Sequence, residues 1–97
     1  LLHVGNKLKN NGLYEQAIDQ YIKYLDRTKS EALTRAMVAH TVGEIYIELD
    51  NCHEALAWLF SAETAGPTYQ RRNELEKHID KCLTQINSIE PRNLAAR

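Results

Sequence analysis

Proline, glycine and cysteine are scarce in this sequence, which has two Pro, four Gly and two Cys among its 97 residues. So few Pro and Gly exclude collagen-like and low-complexity disordered chains, and two Cys are too few for a small secreted scaffold built on several disulfides. No apolar run approaches the roughly 18 residues that a membrane-spanning helix needs. With 43% hydrophobic and 26% charged residues, the composition is that of one ordinary globular domain.

The chain also lacks a large excess of either charge, since its formal net charge is −1. A nucleic-acid-binding protein usually presents a strongly basic face, so the balance argues against that class. The charge is unevenly spread, however: residues 1–29 and 67–97 each carry +2, whereas residues 30–66 carry −5. The acidic middle segment is the one electrostatic indication of which partner the chain prefers.

Apolar residues recur at helical spacing along most of the chain, and no strand pattern is visible. The pattern is interrupted at Asn11-Gly12, at Asp50-Asn51 and at Gly66-Pro67, where Gly, Asn and Pro end helices. Thr28 followed by Glu31 predicts a capping box at the start of the third helix, and Thr68 predicts the N-cap of the fifth. We therefore predict an all-α chain of five helices joined by short loops.

The first two helices and the next two are copies of each other with a period of 38 residues. Seven pairs in this register are all small or apolar: Val4/Val42, Gly5/Gly43, Leu8/Tyr46, Ala17/Ala55, Ile18/Leu56, Tyr21/Leu59 and Ile22/Phe60. Helices that cross closely need small residues at the crossing, so we expect Gly5 to face Ala17 and Gly43 to face Ala55. One such pair cannot bury its apolar face alone, and two stacked pairs can.

The second copy resembles a tetratricopeptide repeat, because Val42-Gly43, Tyr46, Ala55 and Pro67 stand at the spacings of that family. Together with the first copy, the residues that correspond to structural repeat positions are Gly5, Leu8, Ala17, Tyr21, Gly43, Tyr46, Ala55, Leu59, Ala62 and Pro67. The resemblance implies tandem antiparallel helix hairpins, an α-solenoid of about two repeats, followed by a C-terminal capping helix. It implies a single domain over residues 1–90, with repeat one at 1–28, repeat two at 29–67, the capping helix at 68–89 and a tail at 90–97.

The resemblance further implies a function, since the first helix of each repeat in this family lines a concave, partner-binding surface. The chain is then a protein–protein interaction or scaffold module that binds a peptide or partner segment there. On a helical wheel with about 100° per residue, one stripe beside Gly43 and its equivalents 38 residues earlier give the residues expected to line this groove. They are Leu2, Asn6, Lys9, Asn10, Met37, His40, Glu44, Ile47 and Glu48. Because Glu44 and Glu48 would make the groove acidic, we expect a neutral or basic protein or peptide as partner.

Two alternatives remain open from the sequence. One is a self-association module that forms homodimers through an uncovered end of the helical stack. The other is a regulatory metal or redox domain that uses Cys52, His53, His78 and Cys82. Neither Cys belongs to a Cys-x-x-Cys pair and Cys82 lies in an apolar stripe, so we expect buried structural cysteines, no metal and no cofactor. A Cys52–Cys82 disulfide would require Cα atoms within about 7 Å.

Enzyme signatures are missing from the sequence, which has no Gly-x-Ser-x-Gly, no Gly-rich phosphate loop and no His-Glu-x-x-His. We therefore do not expect an enzyme. The sequence begins with Leu1 rather than Met, so we interpret it as part of a longer chain, and the compartment stays unknown. The cytoplasm is favoured, and the bacterial periplasm is the alternative because longer repeats of this kind occur in envelope proteins.

Overall fold

A computed structural model describes residues 2–89, and all the regular secondary structure in this range is helical. The five α-helices are α1 Leu2–Asn10, α2 Tyr14–Arg27, α3 Ala32–Glu48, α4 Cys52–Glu63 and α5 Arg72–Ile89. A single 3₁₀ turn, Gly66–Thr68, precedes α5. The prediction of five helices without strands is confirmed for this part of the chain, whereas the predicted tail at 90–97 lies outside the described residues.

The helices pack mainly against their neighbours in sequence, α1 on α2, α3 on α4 and α5 on α4. Contacts between α2 and α3 join the two hairpins, and α3 also touches α5. Three residues connect α1 to α2 and three connect α3 to α4, and so short a connection makes the paired helices antiparallel. Among the described residues, none of the helices is both long enough and apolar enough to cross a membrane.

The two hairpin turns have the same structure. After α1, the Leu13 amide donates to the Leu8 carbonyl at 2.9 Å and the Gly12 amide donates to the Lys9 carbonyl at 3.0 Å. After α3, the corresponding bonds run from Asn51 to Tyr46 and from Asp50 to Ile47, both at 2.9 Å. These two bonds define a Schellman motif, which satisfies the last carbonyls of a helix and reverses the chain. The motif recurs with the period of 38 seen in the sequence.

Both helix crossings bring a large side chain close to a glycine. A Cβ placed on Gly5 would lie 2.9 Å from Cε1 of Tyr21, and no atom of Ala17 is among its three nearest neighbours. A Cβ on Gly43 would lie 2.6 Å from Cδ2 of Leu59 and 3.4 Å from the Ala55 carbonyl oxygen. In each hairpin, the bulky residue one turn after the alanine, Tyr21 or Leu59, supplies the atoms nearest to the glycine.

Two groups of buried side chains form the core. The first joins α2 to α3 and consists of Ala17, Ile18, Tyr21, Val38, Val42 and Ile45. The second lies among α3, α4 and α5 and consists of Ala36, Ala39, Cys52, Ala55, Leu59, Ala62, Tyr69, Leu75, Ile79 and Cys82. Trp58 and Tyr46 are half-buried and pack against both groups, so they connect the two hairpins into one core.

Two predicted helix starts are wrong. Thr28 is the extended residue that ends α2, with φ −121° and ψ 129°, and α3 begins at Ala32 without a side-chain cap from Glu31. Arg35 holds this connection in place by donating through Nη1 to the Leu25 carbonyl at 3.0 Å and the Thr28 carbonyl at 3.3 Å. Thr68 belongs to the 3₁₀ turn rather than to α5, because Tyr69 follows in an extended conformation and buries its side chain.

A disulfide between Cys52 and Cys82 joins the first residue of α4 to the middle of α5, with a Cα–Cα distance of 5.2 Å. Both residues are buried in the second core group, as expected for structural cysteines. The metal or redox alternative uses Cys52, His53, His78 and Cys82, and the disulfide consumes both thiols of this set. As long as the disulfide is intact, neither cysteine can act as a thiolate ligand.

Candidate functional site

An open concavity of about 450 Å³ lies across α1, the first residue of α2, α3 and α5. Its lining consists of Lys9, Asn10, Tyr14, Glu44, Ile45, Ile47, Glu48, His78 and Lys81. Five of these, namely Lys9, Asn10, Glu44, Ile47 and Glu48, are residues that the sequence placed in the groove. The helical wheel grouped these five residues of α1 and α3, but it did not include Tyr14 of α2 or His78 and Lys81 of α5.

The other four groove residues lie elsewhere. Leu2 is half-buried against the first core group, and Met37 is 41% exposed outside the concavity. Asn6 accepts a hydrogen bond from the Tyr21 hydroxyl at 2.5 Å through its side-chain oxygen. His40 is fully buried, with no exposed surface, so its assignment to an open groove is corrected. The wheel placed His40 one turn before Glu44 on α3, but it could not show that Tyr69 and α5 cover it.

His40 is the central residue of a cluster of side chains, the histidine cluster, in which it is hydrogen-bonded to Tyr69 and His78. Its Nδ1 is 2.8 Å from the Tyr69 hydroxyl, and its Nε2 is 3.0 Å from Nδ1 of His78. The rings of Tyr69 and His78 each contact the His40 ring edge-on. Both nitrogens of the buried imidazole therefore have a partner, which is the condition under which a polar ring can be buried at little cost.

Charged side chains lie beside the histidine cluster, where it borders the concavity. The Arg71 guanidinium donates from Nη2 to Glu44 Oε2 at 2.8 Å and from Nε to Glu74 Oε1 at 2.7 Å. Glu44 Oε2 also lies 4.0 Å from His40 Nε2 and 3.9 Å from His78 Nε2. Since Arg71 neutralises Glu44 and two lysines line the concavity, the surface is of mixed charge rather than acidic as expected.

Burial controls the protonation of the cluster. It lowers the pKa of His40 from 6.5 to about 4, an effect that the nearby Glu44 carboxylate only partly opposes. Burial likewise raises the pKa of the Tyr69 hydroxyl. The hydrogen bond from Arg71 lowers the pKa of Glu74. At neutral pH, the interior of the cluster therefore consists of a neutral imidazole and a neutral phenol, with charges only at its edge.

Sequence reasoning missed three members of the cluster, Tyr69, Arg71 and Glu74, because they join it through the path of the chain between α4 and α5. One signal was present, since His40 and His78 are separated by 38 residues, the period of the repeat. Among the described residues, His40, Glu44 and His78 are the group whose ligand atoms could hold a metal ion. This group shares only His78 with the set of Cys and His residues considered from the sequence.

The chain was compared with protein families, curated proteins and solved structures. No family model, no curated protein and no solved structure matches it. Its function is therefore inferred from the arrangement of its own residues, above all from the concavity and the histidine cluster beside it.

Proposed function

We propose that the chain is a protein–protein interaction module similar to a tetratricopeptide-repeat domain, which binds a peptide or partner segment in the concavity. The observation that carries this proposal is the shape of the surface: α1, the start of α2, α3 and α5 contribute side chains to one open depression of about 450 Å³. That volume falls within the range of about 300–1,000 Å³ typical of ligand sites in proteins. It can accept a few side chains of an extended segment.

The lining indicates which segment would bind. Ile47 and Tyr14 are half-buried and supply apolar surface, whereas Lys9 and Lys81 stand on the two outer helices and Glu48 stands between them on α3. An apolar side chain of the partner would gain most by contacting Ile47 and Tyr14. Charges of both signs at the edge favour a partner segment with little net charge over a strongly basic one.

A peptide library selected against the wild-type chain tests the proposal. We expect the selected peptides to carry an apolar residue, and Ile47→Ala to weaken their binding by about ten-fold or more, which corresponds to roughly 1.4 kcal/mol. Leu33→Ala is the matched control, because Leu33 is also on α3 but is 42% exposed and lies outside the concavity. Equal affinities of the two variants for the selected peptides would refute binding in the concavity.

The edge charges provide a second, independent test. We expect Lys81→Glu to change the charge pattern of the selected peptides, since its ammonium group lies at the edge of the concavity. Lys29→Glu makes the same charge change at an exposed residue between α2 and α3 and should leave the selected pattern unchanged. Amide chemical shifts on peptide addition should change around Lys9, Tyr14 and Ile47; changes confined to α4, which contributes no residue to the lining, would contradict the proposal.

A further inference from the structure

Two imidazoles and one carboxylate converge where α5 meets α3. His40 and Glu44 are four residues apart on α3 and so share one face of that helix, and His78 reaches them from α5. The ligand atoms of the three side chains all lie within 4.8 Å of one another. Nitrogen and oxygen ligands brought together from two helices in this way are typical of transition-metal sites.

The distances are close to those of a tetrahedral zinc site. Zinc bonds of about 2.0–2.2 Å to nitrogen and oxygen place neighbouring ligand atoms roughly 3.3 Å apart. In the chain, His40 Nε2 is 3.0 Å from His78 Nδ1 and 4.0 Å from Glu44 Oε2. Side-chain adjustments of about 1 Å would bring all three around one ion.

The surroundings of His40 suit a metal ligand. The Tyr69 hydroxyl lies 2.8 Å from Nδ1, so a proton on Nδ1 can be donated to Tyr69 while the Nε2 lone pair points towards Glu44 and His78. Such an outer hydrogen bond sets the tautomer of a metal-bound histidine and holds its ring in place. For His78 to bind through Nδ1, its proton must move to Nε2, which is 3.9 Å from Glu44 Oε2.

We propose that His40, Glu44 and His78 bind a zinc ion with three protein ligands and a fourth position open to the concavity. Glu44 and His78 belong to the lining of the concavity, so the open position faces solvent there and a water molecule can occupy it. Arg71 lies 2.8 Å from Glu44 Oε2, and its positive charge opposes a dication. The affinity is therefore lower than that of a closed site with four protein ligands.

Titration of the full chain with Zn²⁺ alone, after removal of metals with a chelator and without reductant, tests this site. We expect one equivalent of zinc to bind and to raise the melting temperature, since the ligands link α3 to α5. Glu44→Gln and His78→Gln should each weaken zinc binding by about ten-fold or more. His3→Gln, at an exposed residue of α1, is the matched control and should bind zinc like the wild type.

The variant His53→Gln distinguishes this zinc site from an alternative site that uses the two cysteines as thiolate ligands. A site formed by Cys52, His53, His78 and Cys82 would lose zinc in His53→Gln and keep it in Glu44→Gln, which would overturn the proposal. Absence of stoichiometric zinc binding to the wild type, or unchanged affinity in both Glu44→Gln and His78→Gln, would overturn it as well. Far-UV circular dichroism of each variant at 25 °C establishes that a loss of zinc binding does not reflect unfolding.

Discussion

Gly12 and Asp50 occupy the same position in the two hairpin turns and both adopt positive φ, 78° at Gly12 and 59° at Asp50. Each is the residue of its Schellman motif that must be left-handed for the chain to reverse. Glycine adopts this conformation freely, whereas an aspartate does so at a cost in free energy. The backbone of the turn is therefore repeated more faithfully than its sequence. Asp50 also has a function in the fold, since its Oδ1 accepts a hydrogen bond from Gln85 Nε2 of α5 at 3.0 Å.

The first prediction concerns Gly12. Gly12→Ala should lower the free energy of unfolding by about 1 kcal/mol, because the added methyl group disfavours the left-handed backbone. A Cβ there would meet no atom within 4 Å, so the loss is a backbone effect and not a clash. Gly12→Asn should cost less, since asparagine tolerates this conformation better. Urea unfolding measures both; a Gly12→Ala variant as stable as the wild type would show that the turn does not require positive φ.

The second prediction concerns the crossing of α3 and α4. In Gly43→Ala the new Cβ would lie 2.6 Å from Cδ2 of Leu59, which forces the buried Leu59 side chain or the helices to move. We expect a loss of about 1–3 kcal/mol in unfolding free energy, despite the better helix propensity of alanine. A double-mutant cycle with Leu59→Ala checks the cause. The two losses should be less than additive, because the smaller side chain makes room for the methyl group, and full additivity would exclude a clash between these residues.

The sequence predicted those parts of the fold that depend on local periodicity. The spacing of Ala17, Tyr21, Ala55 and Leu59 identified the buried faces, since an amphipathic helix buries the same stripe whichever partner covers it. The capping pattern Thr28–Glu31 failed because Arg35, from the following helix, bonds to the carbonyls of this connection and keeps it extended. A long-range contact of this kind overrides a local capping preference.

The candidate site was predictable only in part, for the same reason. The helical wheel of α3 placed Glu44, Ile47 and Glu48 on one surface, and they do line the concavity. It also placed His40 there, because a wheel describes one helix and not what lies over it. The burial of His40 depends on Tyr69 and His78, which approach from a segment whose direction no local pattern specifies. The disulfide between Cys52 and Cys82 depends on the same placement of α5.

The third prediction is a pH dependence caused by His40. Its pKa is about 4 in the folded chain and 6.5 in the absence of burial, so between these values the unfolded chain binds a proton that the folded chain does not. The contribution of His40 to the free energy of unfolding is therefore fully present above pH 6.5 and is lost as the pH drops towards 4. The groups facing the ring are Glu44 on the same helix and, from the segment around α5, Tyr69, Arg71, Glu74 and His78.

Urea unfolding between pH 4 and 7, in the presence of a chelator, measures this dependence. His40→Gln should be less stable at pH 7, because it leaves the Tyr69 hydroxyl and His78 without their partner, but its stability should vary less with pH. His3→Gln removes an exposed histidine and should retain the full dependence. If His40→Gln and the wild type lose stability in parallel as the pH falls, the carboxylates and not His40 determine the acid sensitivity.

The fourth prediction concerns the disulfide, which closes a loop of 30 residues between α4 and α5. A cross-link over a loop of this length lowers the entropy of the unfolded chain and contributes about 3–4 kcal/mol to stability. Reduction of the disulfide should therefore lower the free energy of unfolding by about 3–4 kcal/mol. Because α5 supplies His78 and Lys81 to the concavity, reduction should also weaken any ligand bound there by loosening α5.

Denaturant unfolding with and without a thiol reductant measures the effect on stability. The control is Cys52→Ala/Cys82→Ala, which has no disulfide to reduce and should respond to the reductant with no change. Amide hydrogen exchange then shows which helices open more often after reduction. Amides of α5 should exchange faster in the reduced chain, while those of α1 and α2 should change little, since the first core group does not include α5. Equal acceleration in all five helices would mean that the disulfide stabilises the whole chain as one cooperative unit and that α5 does not open on its own.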